Sequence, residues 1–370
     1  MSRLFFGYNF PATRQHVRPM LHWCRCYLQH NHILTLMYFQ RPSIHSMAHV
    51  TRRLFSTTSS RRSLAAEACS ELLTRFGDEL VSTRTQLFDA NQLQLLSLTL
   101  GRPFIHHNLA VEKGAPPDGT PIPPGYHLAY FTVPILESRL GLDGSDRIVN
   151  PLEPFTRRMW AGGELEWNQN PKNFLRVGQI VQETTKLLSA EPKLSRLSGD
   201  EIVVVGVEKT YETDKGIALI DKRNWVFRKE IAKAQPPTNP TEKPLPKGAF
   251  TRDFTQSEVT LFRFSALTFN GHKIHYSKEW AREVEGHRDC VVHGPLNLIN
   301  ILDFWRDTAH SAAENFVPES IVYRARSPLY VGEQYRCILK DGGNTDKFPK
   351  LNFEIWDSFG NKAMTATLVN

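Results

Sequence analysis

Residues 294–305 read Gly-Pro-Leu-Asn-Leu-Ile-Asn-Ile-Leu-Asp-Phe-Trp. Leu296, Leu298, Ile299, Ile301, Leu302 and Phe304 leave almost no side of a helix without an apolar residue. A helix of that kind has to be enclosed. A similar run opens at Gly125, with Ala129, Phe131, Val133, Ile135 and Leu136, and predicts a second enclosed helix over residues 125–140. The segments after each run carry strand signals. Ile202-Val203-Val204-Val205 is β-branched and Thr213-Asp214-Lys215-Gly216 is a hairpin turn. Residues 321–370 read as strands, with Asp357-Ser358-Phe359-Gly360-Asn361 turning between the last two.

The two halves repeat each other. Glu164-Leu165-Glu166-Trp167, then Pro171, then Val177-Gly178-Gln179, is matched by Ile321-Val322-Tyr323-Arg324, Pro328 and Val331-Gly332-Glu333. A mostly antiparallel sheet curled around one apolar helix is the hot-dog architecture. Two copies predict an α+β double hot-dog whose sheets can join edge to edge. Upstream, residues 64–100 read as helical, with Asp89 as an N-cap and Gly101 as a stop. Residues 231–250 are rich in proline and read as a linker. The expected organisation is a targeting segment over 1–62, a degenerate hot-dog unit over 63–230, the linker, and a catalytic unit over 251–370.

Charge separates the targeting segment from the rest. The 370-residue chain has a formal net charge of +7. No Asp or Glu precedes Glu67, and residues 1–66 hold nine arginines and no lysine, so the remainder is slightly acidic at −2. A basic, acid-free, Ser- and Arg-containing start is the composition of a mitochondrial transit peptide. The predicted destination is the mitochondrial matrix. Met47, just ahead of Arg52-Arg53-Leu54-Phe55-Ser56, is an alternative start. The acidic remainder argues against general nucleic-acid binding. The longest early apolar run, 32–39, is too short to span a bilayer, so no stable membrane insertion is expected. Cys69, Cys290 and Cys337 are too widely spaced for a zinc pattern or a disulfide framework.

Motifs for nucleotide binding, serine hydrolysis and zinc proteolysis are missing: no Gly-x-Gly-x-x-Gly after a strand, no Gly-x-Ser-x-Gly, no His-Glu-x-x-His. The informative stretch is 261–296, LFRFSALTFNGHKIHYSKEWAREVEGHRDCVVHGPL. His275 is a candidate acid/base because imidazole titrates near neutral pH. Asn270 can hold a water by its amide. Gly294 opens a helix, where an unpaired N–H and the positive end of the dipole can meet developing negative charge. His272 and His275 as metal ligands lack a third partner at fitting spacing, so no metal and no cofactor are expected.

This stretch resembles the R-specific enoyl-thioester hydratases and dehydratases of the MaoC-like, hydratase-2 type. His275 matches their motif histidine, and His293-Gly294-Pro295-Leu296 their downstream element. Asn270 stands where those enzymes carry aspartate. Thr268-Phe269-Asn270 with His275-Tyr276 is closer to the mitochondrial 3-hydroxyacyl-thioester dehydratases of type 2 and to the mesaconyl-CoA hydratase branch. Pro124-Gly125-Tyr126-His127 and Arg157-Arg158-Met159-Trp160-Ala161-Gly162-Gly163 resemble that branch too. The resemblance implies reversible dehydration of (3R)-hydroxyacyl thioesters to trans-2-enoyl thioesters. The expected partner is an acyl carrier protein or a CoA thioester, in mitochondrial fatty acid synthesis. His275, Asn270 and Gly294 would be catalytic, and His293, Arg157, Arg158 and Trp160 would bind substrate. A homodimer is compatible with this reading. One alternative is hydration of a short branched or dicarboxylic enoyl-CoA such as mesaconyl-CoA, which a pocket arginine facing a carboxylate would favour and an apolar tunnel would oppose. Another is a non-enzymatic thioester- or RNA-binding protein. The reactivity of Cys290 stays open.

Overall fold

The computed structural model describes residues 63–370 apart from 107–108, 197, 233, 236–237, 239, 309–316 and 341–349. The targeting segment expected over 1–62 lies outside the described residues. In chain order the first half holds α1 (Leu64–Phe76), β1 (Leu80–Leu87), α2 (Ala90–Thr99), β2 (Phe104–His106), β3 (Leu109–Ala110), β4 (Arg157–Trp167), β5 (Ile180–Leu194), β6 (Glu201–Thr213) and β7 (Gly216–Arg228). The second holds β8 (Phe250–Thr255), α3 (Glu258–Leu267), α4 (Gly294–Thr308), β9 (Ser320–Ala325), β10 (Gln334–Leu339), β11 (Lys350–Asp357) and β12 (Lys362–Val369).

Ten strands form one sheet in the order β1-β5-β6-β7-β4-β9-β12-β11-β10-β8. Setting aside the small β2–β3 pair, each half runs from its outer edge inward as its first, third, fourth, fifth and second strand. The order is the same from either side, so the fold is a double hot-dog. The halves meet where the sequence repeat lies: β4 pairs antiparallel with β9, Leu165 opposite Ile321 and Gly163 opposite Tyr323. A Cβ on Gly163 would sit 2.1 Å from the Lys222 carbonyl oxygen, so this junction admits no side chain there.

α4 is the enclosed helix. Every residue from Leu296 to Trp305 is buried. Two of its polar members have side-chain partners. Asn300 donates to the Tyr335 hydroxyl at 3.1 Å, and Asp303 accepts from Tyr126 at 3.0 Å. Burial of such groups without partners would cost several kcal/mol, about 2–7.

Two expectations change. Residues 80–87 form a strand rather than a continuation of α1, because β1 pairs along β5, Thr83 opposite Thr184 and Thr85 opposite Gln182. Alternating β-branched residues suit that edge. Asp89 does cap α2, accepting from Gln92 N at 2.8 Å. The helix expected over 125–140 is absent as well. Only single 3₁₀ turns form, at Tyr126–Ala129 and Glu137–Arg139. Pro134 disfavours the helical region for Val133, and Phe131 lies at φ +53°. Tertiary bonds hold this chain open instead. Gln86 accepts from Phe131 N, and Arg84 donates to the carbonyls of Phe131 and Thr132.

Among the described residues, the first half therefore has no central helix of its own. At one end of its sheet, α1 buries Ala65, Ala68, Cys69 and Leu72 against Val203, Val205, Val207 and Phe227. At the other, Gly125 packs on Ile299 and Leu302 of α4. The space between is a cavity.

Candidate functional site

The cavity has a volume of about 1260 Å³, above the usual range of about 300–1,000 Å³ for ligand pockets. One wall is the stretch from α3 to the start of α4, carrying Asn270, His275 and Gly294. The opposite wall is the inner face of the first-half sheet, with Trp160 and Arg158 from β4. Five of the seven residues expected from sequence thus share one cavity.

His275 sits on a 3₁₀ turn, Lys273–His275, after α3. Its Nδ1 lies 2.7 Å from the Val291 carbonyl oxygen. A carbonyl only accepts, so Nδ1 carries the proton and Nε2 keeps its lone pair. Burial, aided by nearby His272, lowers its pKa from 6.5 to about 3. His275 is therefore a neutral base over the whole physiological range. For the free protein, protonation would remove that base only as pH falls toward about 3. We expect kcat/KM for enoyl-thioester hydration to change less than twofold between pH 7.5 and 5.5. An unperturbed histidine would lose roughly tenfold over that interval. A steady-state pH profile with an acid limb near 6.5 would contradict this assignment.

Asn270 uses its side-chain oxygen to accept from His272 N at 3.1 Å. That leaves the NH₂ group for a ligand, so Asn270 presents donors to the cavity. An aspartate there would present none when ionised.

Gly294 is the first residue of α4, and Pro295 follows it without an N–H. The Gly294 amide is then a first-turn donor with no partner inside the helix. A Cβ at Gly294 would lie 2.9 Å from Cδ1 of Trp160, so only glycine fits beneath the indole. Trp160 is aimed by a register shift in β4 between Trp160 and Gly162, the kind of bulge that redirects a side chain. It stacks on Tyr323, with ring centroids 6.1 Å apart.

His293 and Arg157 do not line the cavity. His293 lies behind His275, ring centroids 3.6 Å apart, with Nε2 at 2.8 Å from the Ser265 hydroxyl. Burial beside His275 and His272 holds its pKa well below 6.5, so the stacked pair is uncharged. Arg157 is tied to Glu285, 3.4 Å from a carboxylate oxygen and 3.0 Å from its carbonyl. Arg158 lines the cavity but pairs with Asp146 at 3.0 Å. Both guanidiniums expected to bind substrate thus already have an internal carboxylate.

Sequence reading missed two groups. Glu285 accepts from Trp280 at 3.1 Å and faces His272 at 3.4 Å. Burial would raise its carboxyl, but His272, Trp280 and Arg157 outweigh that and hold it at about 2. This anion fixes the turn that carries His275. The second group is a set of charges on the inner face of the first-half sheet: Arg84, Glu183, Lys209, Asp221 and Arg223. Their signal was readable. The inward positions of β7 run Leu219, Asp221, Arg223, Trp225, Phe227, where alternation predicts apolar residues throughout. Among the described residues, no three His, Cys, Asp or Glu side chains converge as a metal site would.

The family model of the hydroxyacyl-thioester dehydratases type 2 matches residues 125–331. Mesaconyl-C(4)-CoA hydratase of Chloroflexus aurantiacus is 30% identical over 259 residues, 69% of this chain and 86% of that protein. The mitochondrial hydroxyacyl-thioester dehydratase type 2 of Schizosaccharomyces pombe is 27% identical, covering 61% of this chain and 80% of its own. Among solved structures, a MaoC-like dehydratase from Phytophthora capsici superposes with a TM-score of 0.56 at 14% identity, over 80% of this chain and 97% of that one. That likeness is one of fold.

Proposed function

This chain belongs to the hydroxyacyl-thioester dehydratase type 2 family, and from that premise we propose that its hydro-lyase site is built from His275, Asn270 and Gly294 and interconverts (3R)-hydroxyacyl and trans-2-enoyl thioesters. The observation that carries the reading is the Nδ1–Val291 bond of His275, which leaves Nε2 as a lone-pair nitrogen in the cavity shared with Asn270 and Gly294.

In the hydration direction a water sits between Nε2 and the Asn270 amide. Its oxygen forms the bond to Cβ while one O–H bond breaks toward Nε2. The C=C electron pair moves into the thioester, and the enolate-like oxygen is met by the Gly294 N–H and the positive end of α4. The imidazolium of His275 then returns the proton to Cα. Dehydration is the reverse: Nε2 takes the Cα proton and delivers it to the departing hydroxyl. One base serves both steps, so no second ionisable group is needed at position 270.

The acyl carrier protein as carrier, fatty acid synthesis as pathway and the mitochondrial matrix as location are part of this proposal. They are supported by the acid-free basic start of the chain and by the mitochondrial relative. A second reading, a short dicarboxylic enoyl-CoA as substrate, is favoured by the basic lining of the cavity: seven Lys or Arg side chains against three carboxylates. The test is a spectrophotometric assay of crotonyl-CoA hydration by the full chain, repeated with crotonyl-acyl carrier protein. Turnover of either supports the hydro-lyase, and a preference for the protein-linked form supports the carrier reading. No turnover with either thioester would sink the site.

A further inference from the structure

The turn that carries Asn270 and His275 belongs to the second half, yet a loop of the first half lies on it. Residues 141–146 read Gly-Leu-Asp-Gly-Ser-Asp. Gly141 N donates to the Ser145 carbonyl at 2.8 Å, and Gly144 N to the Gly141 carbonyl at 2.9 Å, so the loop is a closed turn. Arg158 ties its far end to β4 through Asp146 at 3.0 Å. Its middle meets residues 271–273 in three ways. The Asp143 carbonyl accepts from Lys273 N at 2.7 Å. Gly144 runs so close to Gly271 that a Cβ on it would sit 2.1 Å from the Gly271 carbonyl oxygen. The Asp143 carboxylate stands 3.4 Å from Nε2 of His272. Buried Ser145 donates its N–H and its hydroxyl to that carboxylate at 2.9 Å, which fixes its direction.

His272 is thereby held from two sides. Glu285 of the second half stands 3.4 Å from the same nitrogen. Carboxylates only accept, so Nε2 carries a proton and shares it between one carboxylate from each half. The Asp143, His272 and Glu285 side chains are only 14%, 7% and 5% exposed, so solvent screens these contacts little. What the ring anchors is the backbone of His272, and that backbone serves both chemical groups. Its N–H donates to the Asn270 side-chain oxygen at 3.1 Å, and its carbonyl accepts from His275 N at 3.1 Å. The His272 and His275 rings meet edge-on, with centroids 5.5 Å apart. One residue thus sets the gap between the Asn270 amide and Nε2 of His275, in which the reacting water has to fit. A gap of that kind works only when its supporting groups are locked.

We propose that Asp143 is a positioning residue for the reaction: the first half, which lacks the Asn-plus-His pair, supplies through it a clamp on His272 that keeps Asn270 and His275 in register. The inference rests on the hydro-lyase reading of the His275 site, and its test separates the two. Crotonyl-CoA hydration by the full chain is compared with that of Asp143→Ala, which removes the carboxylate and keeps the backbone bond to Lys273. In Asp143→Ala kcat should fall by about tenfold or more, toward the hundredfold that a displacement of about 1 Å can cost, with KM within about twofold. Gly144→Ala, which drives the loop off Gly271 without touching a charge, should lower kcat in the same way. Arg147→Ala, an exposed position of the same loop, should change neither constant. In a His272→Ala background, Asp143→Ala should cost less than about twofold more, because it acts through that ring. A second readout needs no turnover. In protein labelled with ¹⁵N-histidine, long-range ¹H–¹⁵N spectra should show His272 protonated at Nε2, and the His275 ring signals should move in Asp143→Ala. Unchanged kcat in both loop variants, losses that add fully in the double variant, or His275 signals that stay in place would overturn the clamp. Turnover by the unaltered protein and its loss in His275→Ala decide the hydro-lyase reading separately.

Discussion

Replacing His275 by alanine is expected to lower kcat for crotonyl-CoA hydration by about a thousandfold, within the span of about 10²–10⁴ that a positioned general acid/base contributes. The size follows from the commitments of the neighbouring groups: His272 faces Asp143 and Glu285, and His287 lies 3.2 Å from the Tyr330 hydroxyl. Glu285 is already committed to Trp280, Arg157 and His272. His293 is off the cavity wall, behind the His275 ring and bonded to Ser265. Asn270 cannot ionise. His275→Asn sharpens the result, because its amide can still donate to the Val291 carbonyl yet supplies no base. Both variants should melt as folded proteins, and both should be equally inactive. A kcat within tenfold of the unaltered protein in either would assign the proton transfer elsewhere.

How much of this was legible in the sequence depends on which physical signal each part left. The repeat was legible because strand, corner and Val-Gly steps recur in order, and β4 and β9 turned out to be the joining edges. α4 was legible because a helix apolar on every side has few places to go. The run from Gly125 carried the same apolar signal, but apolar periodicity does not say whether a chain is helical or merely buried. Pro134 was the available warning. The placement of Asn270, His275 and Gly294 in one cavity follows from motif order, whereas the exclusion of His293 and Arg157 from its wall is a matter of side-chain direction. For His293, ahead of α4, no spacing rule conveys that direction, whereas in β4 the alternation with Arg158 and Trp160 already turns Arg157 to the other face. The inward charges on β5, β6 and β7 were visible as breaks in alternation. Their meaning needed the register, because only cross-strand pairing shows that Glu183, Lys209, Asp221 and Arg223 are neighbours.

The symmetry also identifies the site that α4 does not use for chemistry. α2 and α3 are ten-residue helices in equivalent places, each capped at its start by Asp89 or Ser257. Counting from their ends, Arg102 occupies in the first half the position of Asn270 in the second. Where Asn270 opens onto a cavity, Arg102 donates to Asp307 at 2.8 Å and stands 3.7 Å from Asp303. Asp303 also accepts from Arg306 at 2.7 Å and from Tyr126, the residue following Gly125. The equivalent of the proposed active site is filled with a largely buried ion cluster. Burial outweighs the two guanidiniums and raises the Asp303 carboxyl above the ordinary aspartate range, so the cluster owes little net stability to its charges. Breaking it is a different matter. Asp303→Leu would leave Arg306 and Tyr126 buried without their acceptor, and loss of one member of such a cluster costs about 3–5 kcal/mol. We expect that loss in denaturant unfolding, with the midpoint shifted at unchanged slope. Asp303 is nine residues along α4 from Gly294, about 13 Å at helical rise. Crotonyl-CoA turnover at a temperature where the variant is folded should therefore stay within twofold. His275→Ala should show the reverse, activity lost and stability nearly kept. If Asp303→Leu instead abolished turnover while leaving the unfolding midpoint in place, the two pseudo-equivalent sites would have to exchange their roles.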